Sequence, residues 1–171
     1  LGLVGFGGIG QHVARIANGF GMRIQVWNSH VHADALAANP EIALVDGIDD
    51  LMATSDIVSL HLPLTDETRG GITFENLNHL RPGSMLINTA RAEIIAPGAL
   101  ERRLERGDLL AGLDVFDKEP LPQDSPLRSV PGVVLTPHVA WRADGAYASL
   151  TRQVMEAIVS FYEGGDFNVV V

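Results

Sequence analysis

The chain has 171 residues, enough for one domain with a full core, and its 46% apolar and 6% aromatic content predicts an interior packed from small side chains. A net charge of −9 with no cluster of Lys or Arg argues against a nucleic-acid surface, and the absence of Cys excludes disulfides and thiolate metal sites. No apolar stretch approaches the roughly 20 residues that span a bilayer, and no signal peptide is visible, so the reading is no membrane and a cytoplasmic protein.

Strand and helix signals alternate along the whole chain. That pattern predicts an α/β fold, a Rossmann-like doubly wound parallel sheet with helices on both faces. The expected strands are Leu1–Phe6, Arg23–Trp27, Ile42–Val45, Ile57–Leu60, Ser84–Asn88, Leu109–Leu113 and Val133–Thr136. The expected helices are Gly8–Phe20, His32–Ala38, Ile48–Thr54, Thr73–Leu80, Pro97–Arg106 and Ala143–Glu163. Val13, Ile16, Ala17 and Phe20 share one face of the first helix, which is therefore expected to be its buried face. Asp49 and Asp50 fall where a helix N-terminus favours negative charge. Gly107 suits a helix end, and Gly164-Gly165 closes the last helix ahead of a short Phe167–Val171 tail. Phe116–Pro131 carries Pro120, Pro122, Pro126 and Pro131 and reads as an ordered surface loop. The chain lacks an initiator Met and begins inside a strand, as expected of a piece of a longer protein.

The first strand runs straight into Gly5-x-Gly7-x-x-Gly10. Gly5 lets the chain turn off the strand, Gly7 removes a side chain where phosphates must approach, and Gly10 lets the helix pack close to the sheet. The helix N-terminal N–H groups would then face a dinucleotide pyrophosphate. An acidic residue usually ends the second strand of such a unit and binds the ribose hydroxyls, but here that place falls at Asn28. Asn28 can hydrogen-bond a ribose without repelling a 2′-phosphate, and Ser29 and His30 follow it. NAD is the favoured cofactor, NADP is possible, and a plain turn at Asn28 is the other reading.

Three further strands end in polar residues: Asn88-Thr89-Ala90-Arg91, Asp114–Pro120 and Thr136-Pro137-His138. The carboxyl ends of parallel strands form the binding crevice, so Arg91, Glu119 and His138 would meet beside the cofactor. They form a complete set for reducing a 2-keto acid. Arg91 can bind the carboxylate and polarise the keto oxygen. His138 can protonate the alkoxide, and Glu119 can hold the imidazole in one tautomer and favour its protonated form.

With these motifs the sequence resembles the D-isomer-specific 2-hydroxyacid dehydrogenases, over essentially the whole chain. The resemblance rests on Gly5–Gly10, His61-Leu62-Pro63-Leu64-Thr65, Ile87–Arg91, Gly112–Phe116, Glu119-Pro120 and Thr136–His138. It implies that Arg91, Glu119 and His138 are catalytic and that Asp114 binds the nicotinamide carboxamide. It also implies that Gly8, Ile9, His61, Leu62, Pro63, Thr68, Thr89, Ala90, Arg91 and His138 line the dinucleotide. The substrates it implies are small 2-keto or 2-hydroxy acids such as glyoxylate and hydroxypyruvate, handled by a homodimer. Residues 1–171 would then be the dinucleotide-binding domain, with a flavodoxin-like substrate domain largely absent from the chain. A dinucleotide-sensing corepressor on the same fold is the alternative.

Departures from the family pattern are Asn28, Ala92 after the arginine, and Ala140-Trp141 after the histidine. Trp141 reads either as a wall of the substrate pocket or as a core aromatic opening the last helix. His12, His30, His32, His61 and His79 also fit surface positions. Arg15, Arg102, Arg103 and Arg106 look like solvated helix faces.

Overall fold

The computed structural model describes residues 1–28 and 39–168. Ser29, His30, the helix expected over His32–Ala38 and the last three tail residues lie outside the described residues. Two compact units are present, Leu1–His138 and Val139–Val171.

The first unit is built on a seven-stranded parallel sheet. Its strands are β1 (Gly2–Val4), β2 (Gln25–Trp27), β3 (Ala43–Leu44), β4 (Ile57–Leu60), β5 (Met85–Asn88), β6 (Leu110–Leu113) and β7 (Val133–Leu135), in the order β3-β2-β1-β4-β5-β6-β7. The chain winds outward from β1 through β2 to β3, then crosses back to β4 and winds the other way. The switch therefore lies between β1 and β4, where open α/β sheets bind ligands. Parallel strands covered on both faces lose their polar outer row, and Leu3, Val4, Val58, Leu60 and Leu86 are accordingly all fully buried.

The period-2 alternation of β1 separates the two sides of the core. Leu3 packs with Phe6, Ala14, Ala17, Ile24, Val26 and Ile42 beside helix α1 (Gly8–Gly19). Val4 joins the larger cluster on the other side. That cluster includes Leu51 and Met52 of α2 (Ile48–Thr54), Leu77 of α3 (Phe74–Asn78) and Leu100 and Leu104 of α4 (Ala99–Leu104). Helix α3 starts at a capping box in which Thr73 and Asn76 satisfy each other's backbone N–H groups. A short 3-10 turn at Pro126–Ser129 falls in the stretch read as a loop, and another covers Ala92–Ile94.

Two expectations about helix faces are corrected. Helix α1 buries Gly10, Ala14 and Ala17, while Ile16 and Phe20 are 62% and 81% exposed. The close packing that Gly10 permits turns the small-residue stripe inward and leaves the larger side chains outside. Arg103 is 0% exposed, where a solvated face was expected. Its Nε donates to Leu77 O at 3.1 Å and Nη2 to Leu80 O at 3.0 Å, while Nη1 pairs with Asp108 Oδ1 at 2.5 Å. The guanidinium thus bonds one carbonyl in the last turn of α3 and one just beyond it, and ties them to Asp108, two residues ahead of β6.

The second unit contains helix α5 (Ala146–Tyr162), with Gly145 at its start and Gly164 at φ +75° after its end. Trp141 is exposed and meets Tyr147 edge-on, ring centroids 5.3 Å apart, so it is not a core aromatic. No helix among the described residues is long and apolar enough to cross a membrane.

Candidate functional site

The register of the sheet explains why distant residues meet. Val4 pairs with Trp27 on one side and Leu60 on the other, Leu60 with Asn88, Asn88 with Leu113, and Leu113 with Leu135. These residues form one row across six strands. The positions immediately after it are Asn28, Gly5, His61, Thr89, Asp114 and Thr136, all on the carboxyl edge of the sheet. Every strand end singled out from sequence therefore opens onto one edge.

At the switch, Gly5 has φ +99°, a region that L side chains rarely adopt. A Cβ on Gly5 would lie 2.9 Å from the carbonyl of His61, and one on Gly10 would lie 2.6 Å from Gly5 O. Both glycines are thus required by backbone crossing backbone. Gly7 and Gly8 differ: a Cβ on either meets nothing within 4 Å. Space is open at the N-terminus of α1, where Gly7 is the cap, no acidic side chain lies in the first turn, and the leading N–H groups lack intrahelical acceptors. That cradle suits an anion held by backbone donors, as a dinucleotide pyrophosphate would be.

The neighbouring loops are well tied. His61 is partly buried and its Nε2 lies 2.9 Å from Ser59 Oγ. Burial pushes the His61 pKa down, which favours the neutral imidazole. This corrects the surface reading of His61. Leu62 is buried and Pro63 exposed. Thr68 Oγ1 donates to Pro63 O at 2.6 Å and accepts from Thr65 N at 2.8 Å, so its hydroxyl shapes this loop. Asn28 is partly buried directly after β2.

The Arg91 loop hangs on Asn88, which is 1% exposed. Asn88 Nδ2 donates to Arg91 O at 2.9 Å, and Asn88 Oδ1 accepts from Ala90 N at 3.0 Å. Its backbone carbonyl accepts from Asp114 N at 3.0 Å. Thr89 and Arg91 are exposed, and the Arg91 guanidinium turns back to Ala90 O at 2.7 Å. Asn88 was not singled out from sequence as a functional position. The available signal was an amide side chain at the end of an otherwise apolar strand.

Glu119 and His138 meet directly: Nδ1 of His138 lies 2.7 Å from Glu119 Oε2. The other carboxylate oxygen accepts Phe116 N–H at 3.0 Å. The hydrogen bond with His138, then that from Phe116, holds the Glu119 carboxyl below the usual glutamate range, so it is ionised near neutrality. His138 has φ +54°, a left-handed conformation costing about 1–3 kcal/mol for a non-glycine residue and concentrated at functional sites. A three-residue turn precedes it, His138 N donating to Thr136 O at 3.1 Å around Pro137. Asp114 is 2% exposed and receives the Thr136 hydroxyl at 2.5 Å. A cavity of about 520 Å³ adjoins the pair, lined by Phe116, Leu121, Arg128, Leu135 and Pro137. Among the described residues no group of three or more His, Asp or Glu could hold a metal.

This arrangement has relatives. The family profile described as D-isomer specific 2-hydroxyacid dehydrogenase, NAD binding domain, matches residues 1–140. A glyoxylate reductase of Korarchaeum cryptofilum is 39% identical over 165 residues, covering 96% of this chain and 49% of that protein. An acyclic imino acid reductase solved in complex with NADPH and D-Arg superposes with a TM-score of 0.87 at 35% identity, over 99% of this chain and 53% of that one. D-lactate dehydrogenase with NAD+ from Lactobacillus jensenii gives 0.84 at 25% identity, over 99% and 54%. The chain spans about half the length of the curated relatives it matches.

Proposed function

The chain belongs to the D-isomer-specific 2-hydroxyacid dehydrogenase family, as its NAD-binding domain, and on that premise we propose that it serves the NAD(P)-dependent interconversion of a small 2-keto acid and its D-2-hydroxy acid. Glyoxylate and hydroxypyruvate are the substrates of first choice, in line with the glyoxylate and hydroxypyruvate reductases among its relatives. The observation that carries this reading is the 2.7 Å Glu119–His138 pair on the same sheet edge as the glycine cradle.

The nicotinamide, when bound, supplies or accepts the hydride at C2 of the acid. The chain's residues do the rest. The first-turn N–H groups of Gly8, Ile9 and Gly10 hold the pyrophosphate, and Gly5 and Gly7 shape the approach. Asn28 meets the adenosine ribose, and its neutral side chain admits NADP beside NAD. His61, Leu62, Pro63, Thr68, Thr89 and Ala90 line the dinucleotide, and Asp114 takes the carboxamide. Arg91 binds the carboxylate of the acid and polarises its keto oxygen. With Nδ1 committed to Glu119, His138 delivers its proton from Nε2 to the oxygen at C2 as the hydride arrives, and recovers it in the reverse direction.

The remaining contacts to the acid are assigned to a substrate-binding domain outside these 171 residues. By family resemblance the protein works as a homodimer, and the cytoplasm is its default location. Calorimetry on the 171-residue chain is expected to show NADH binding with little turnover, because an open half-cleft leaves the reacting centre in water. The protein with its substrate domain is expected to oxidise NADH with glyoxylate or hydroxypyruvate. NADH binding with no turnover of any 2-keto acid would favour a sensor instead.

A further inference from the structure

Thr136 occupies a junction that family resemblance and catalytic chemistry leave without a role. It is exposed, immediately follows β7, and uses each of its polar groups on a different neighbour. Its N–H donates to Leu113 O at 3.0 Å, extending the ladder one residue past β7. Its carbonyl accepts from His138 N at 3.1 Å and closes the turn that presents the imidazole. Its hydroxyl donates to Asp114 Oδ1 at 2.5 Å. Any residue could make the two backbone bonds, so the hydroxyl is the contribution special to this side chain.

That contribution falls on a demanding partner. Asp114 is 2% exposed, and the hydrogen bonds a buried carboxylate accepts fix its orientation. Its carboxylate also stands at the first position beyond the register row, where the carboxamide end of the cofactor is assigned. We propose that Thr136 is a positioning residue for cofactor binding: its hydroxyl orients the Asp114 carboxylate toward the nicotinamide carboxamide. The same residue's carbonyl anchors the His138 turn, so the carboxamide acceptor and the proton donor share one fixed point. This rests on the assignment of Asp114 to the carboxamide.

The test separates the two ends of the cofactor. NADH and ADP-ribose, which lacks the nicotinamide, are titrated into the wild-type chain and into Thr136→Val and Thr136→Ser. Thr136→Val keeps the shape and removes the donor. It is expected to weaken NADH about tenfold, the size of one hydrogen bond to a charged group, and to leave ADP-ribose unchanged. Thr136→Ser, which keeps the hydroxyl, is expected to bind both ligands as wild type does. Equal weakening of both ligands in Thr136→Val would reveal a general structural role and overturn the proposal, as would no weakening of either. Asp114→Asn tests the underlying assignment: unchanged NADH affinity there would remove Asp114 from the carboxamide, and the proposal with it.

Discussion

Glu119 Oε2 lies 2.7 Å from Nδ1 of His138, although the two stand 19 positions apart in the chain with prolines between them. The contact directs one ring nitrogen at a carboxylate that a backbone N–H from Phe116 also holds. The histidine's tautomer and ring orientation are thereby set before any substrate arrives.

The pH dependence follows from the carboxylate. Glu119 has a folded-state pKa below its unfolded value, so its stabilising contact is fully present above the ordinary glutamate range and is lost as pH falls through the lowered value. The rate of keto-acid reduction is expected to fall on the acid side as Glu119 takes up a proton. Glu119→Gln should show a lower plateau without that acid limb. A pH–rate profile with the same acid limb in the variant would remove Glu119 from this role. His138→Gln is expected to depress kcat by about 10²–10⁴-fold, the range for a lost general acid, while NADH affinity changes little.

Gly7 and Gly10 should respond oppositely to the same substitution. Gly10→Ala drives a Cβ to within 2.6 Å of Gly5 O and should destabilise the fold. Gly7→Ala meets no atom within 4 Å and has an ordinary φ of −72°, so it should fold like the parent. Its methyl group nevertheless projects where phosphates must approach, and NADH affinity should fall sharply. Thermal melts paired with NADH titrations read both effects; full NADH affinity in Gly7→Ala would move the pyrophosphate elsewhere.

Asn28 sets an expectation about cofactor choice. Replacing it with Asp puts a carboxylate beside the 2′ position of the adenosine ribose, and like charges in contact cost several kcal/mol. Asn28→Asp is expected to raise the NADH-over-NADPH preference at least about tenfold. Equal use of NADPH before and after the change would show that another residue meets the ribose.

Arg103 should dominate the stability of its side of the sheet. Arg103→Ala removes the donor to the buried Leu80 carbonyl and one of the two donors to the Leu77 carbonyl, which also accepts from Leu80 N at 3.2 Å, and should cost about 2 kcal/mol. Denaturant unfolding measures the loss directly. The Arg103 hydrogen bond is the leading cause of the lowered Asp108 pKa, so that carboxylate's stabilising contribution fades as pH falls through the lowered value. An Arg103→Ala midpoint within experimental error of the parent would mean that water replaces the guanidinium without cost.

Alternating apolar runs and strand-end polar residues by themselves determined the sheet and its parallel sense, because hydrophobic periodicity and turn chemistry are local properties, while the family came from the resemblance of its motifs. The glycine turn was readable for the same reason: Gly5 and Gly10 mark places where a backbone crosses a backbone, and no other residue fits there. Which residues meet was a different matter. The 2.7 Å Glu119–His138 pair, the Asn88 clamp on Arg91 and the Thr136–Asp114 bond depend on the register that aligns Asn88, Leu113 and Leu135 in one row. Burial was equally out of reach of periodicity. Arg103 on a helix pattern reads as a solvated charge until α3 is laid across it, and Ile16 and Phe20 read as core until Gly10 lets α1 settle on its small residues. Local pattern specifies the elements; only their packing against one another decides which polar groups lose water and must find partners within the protein.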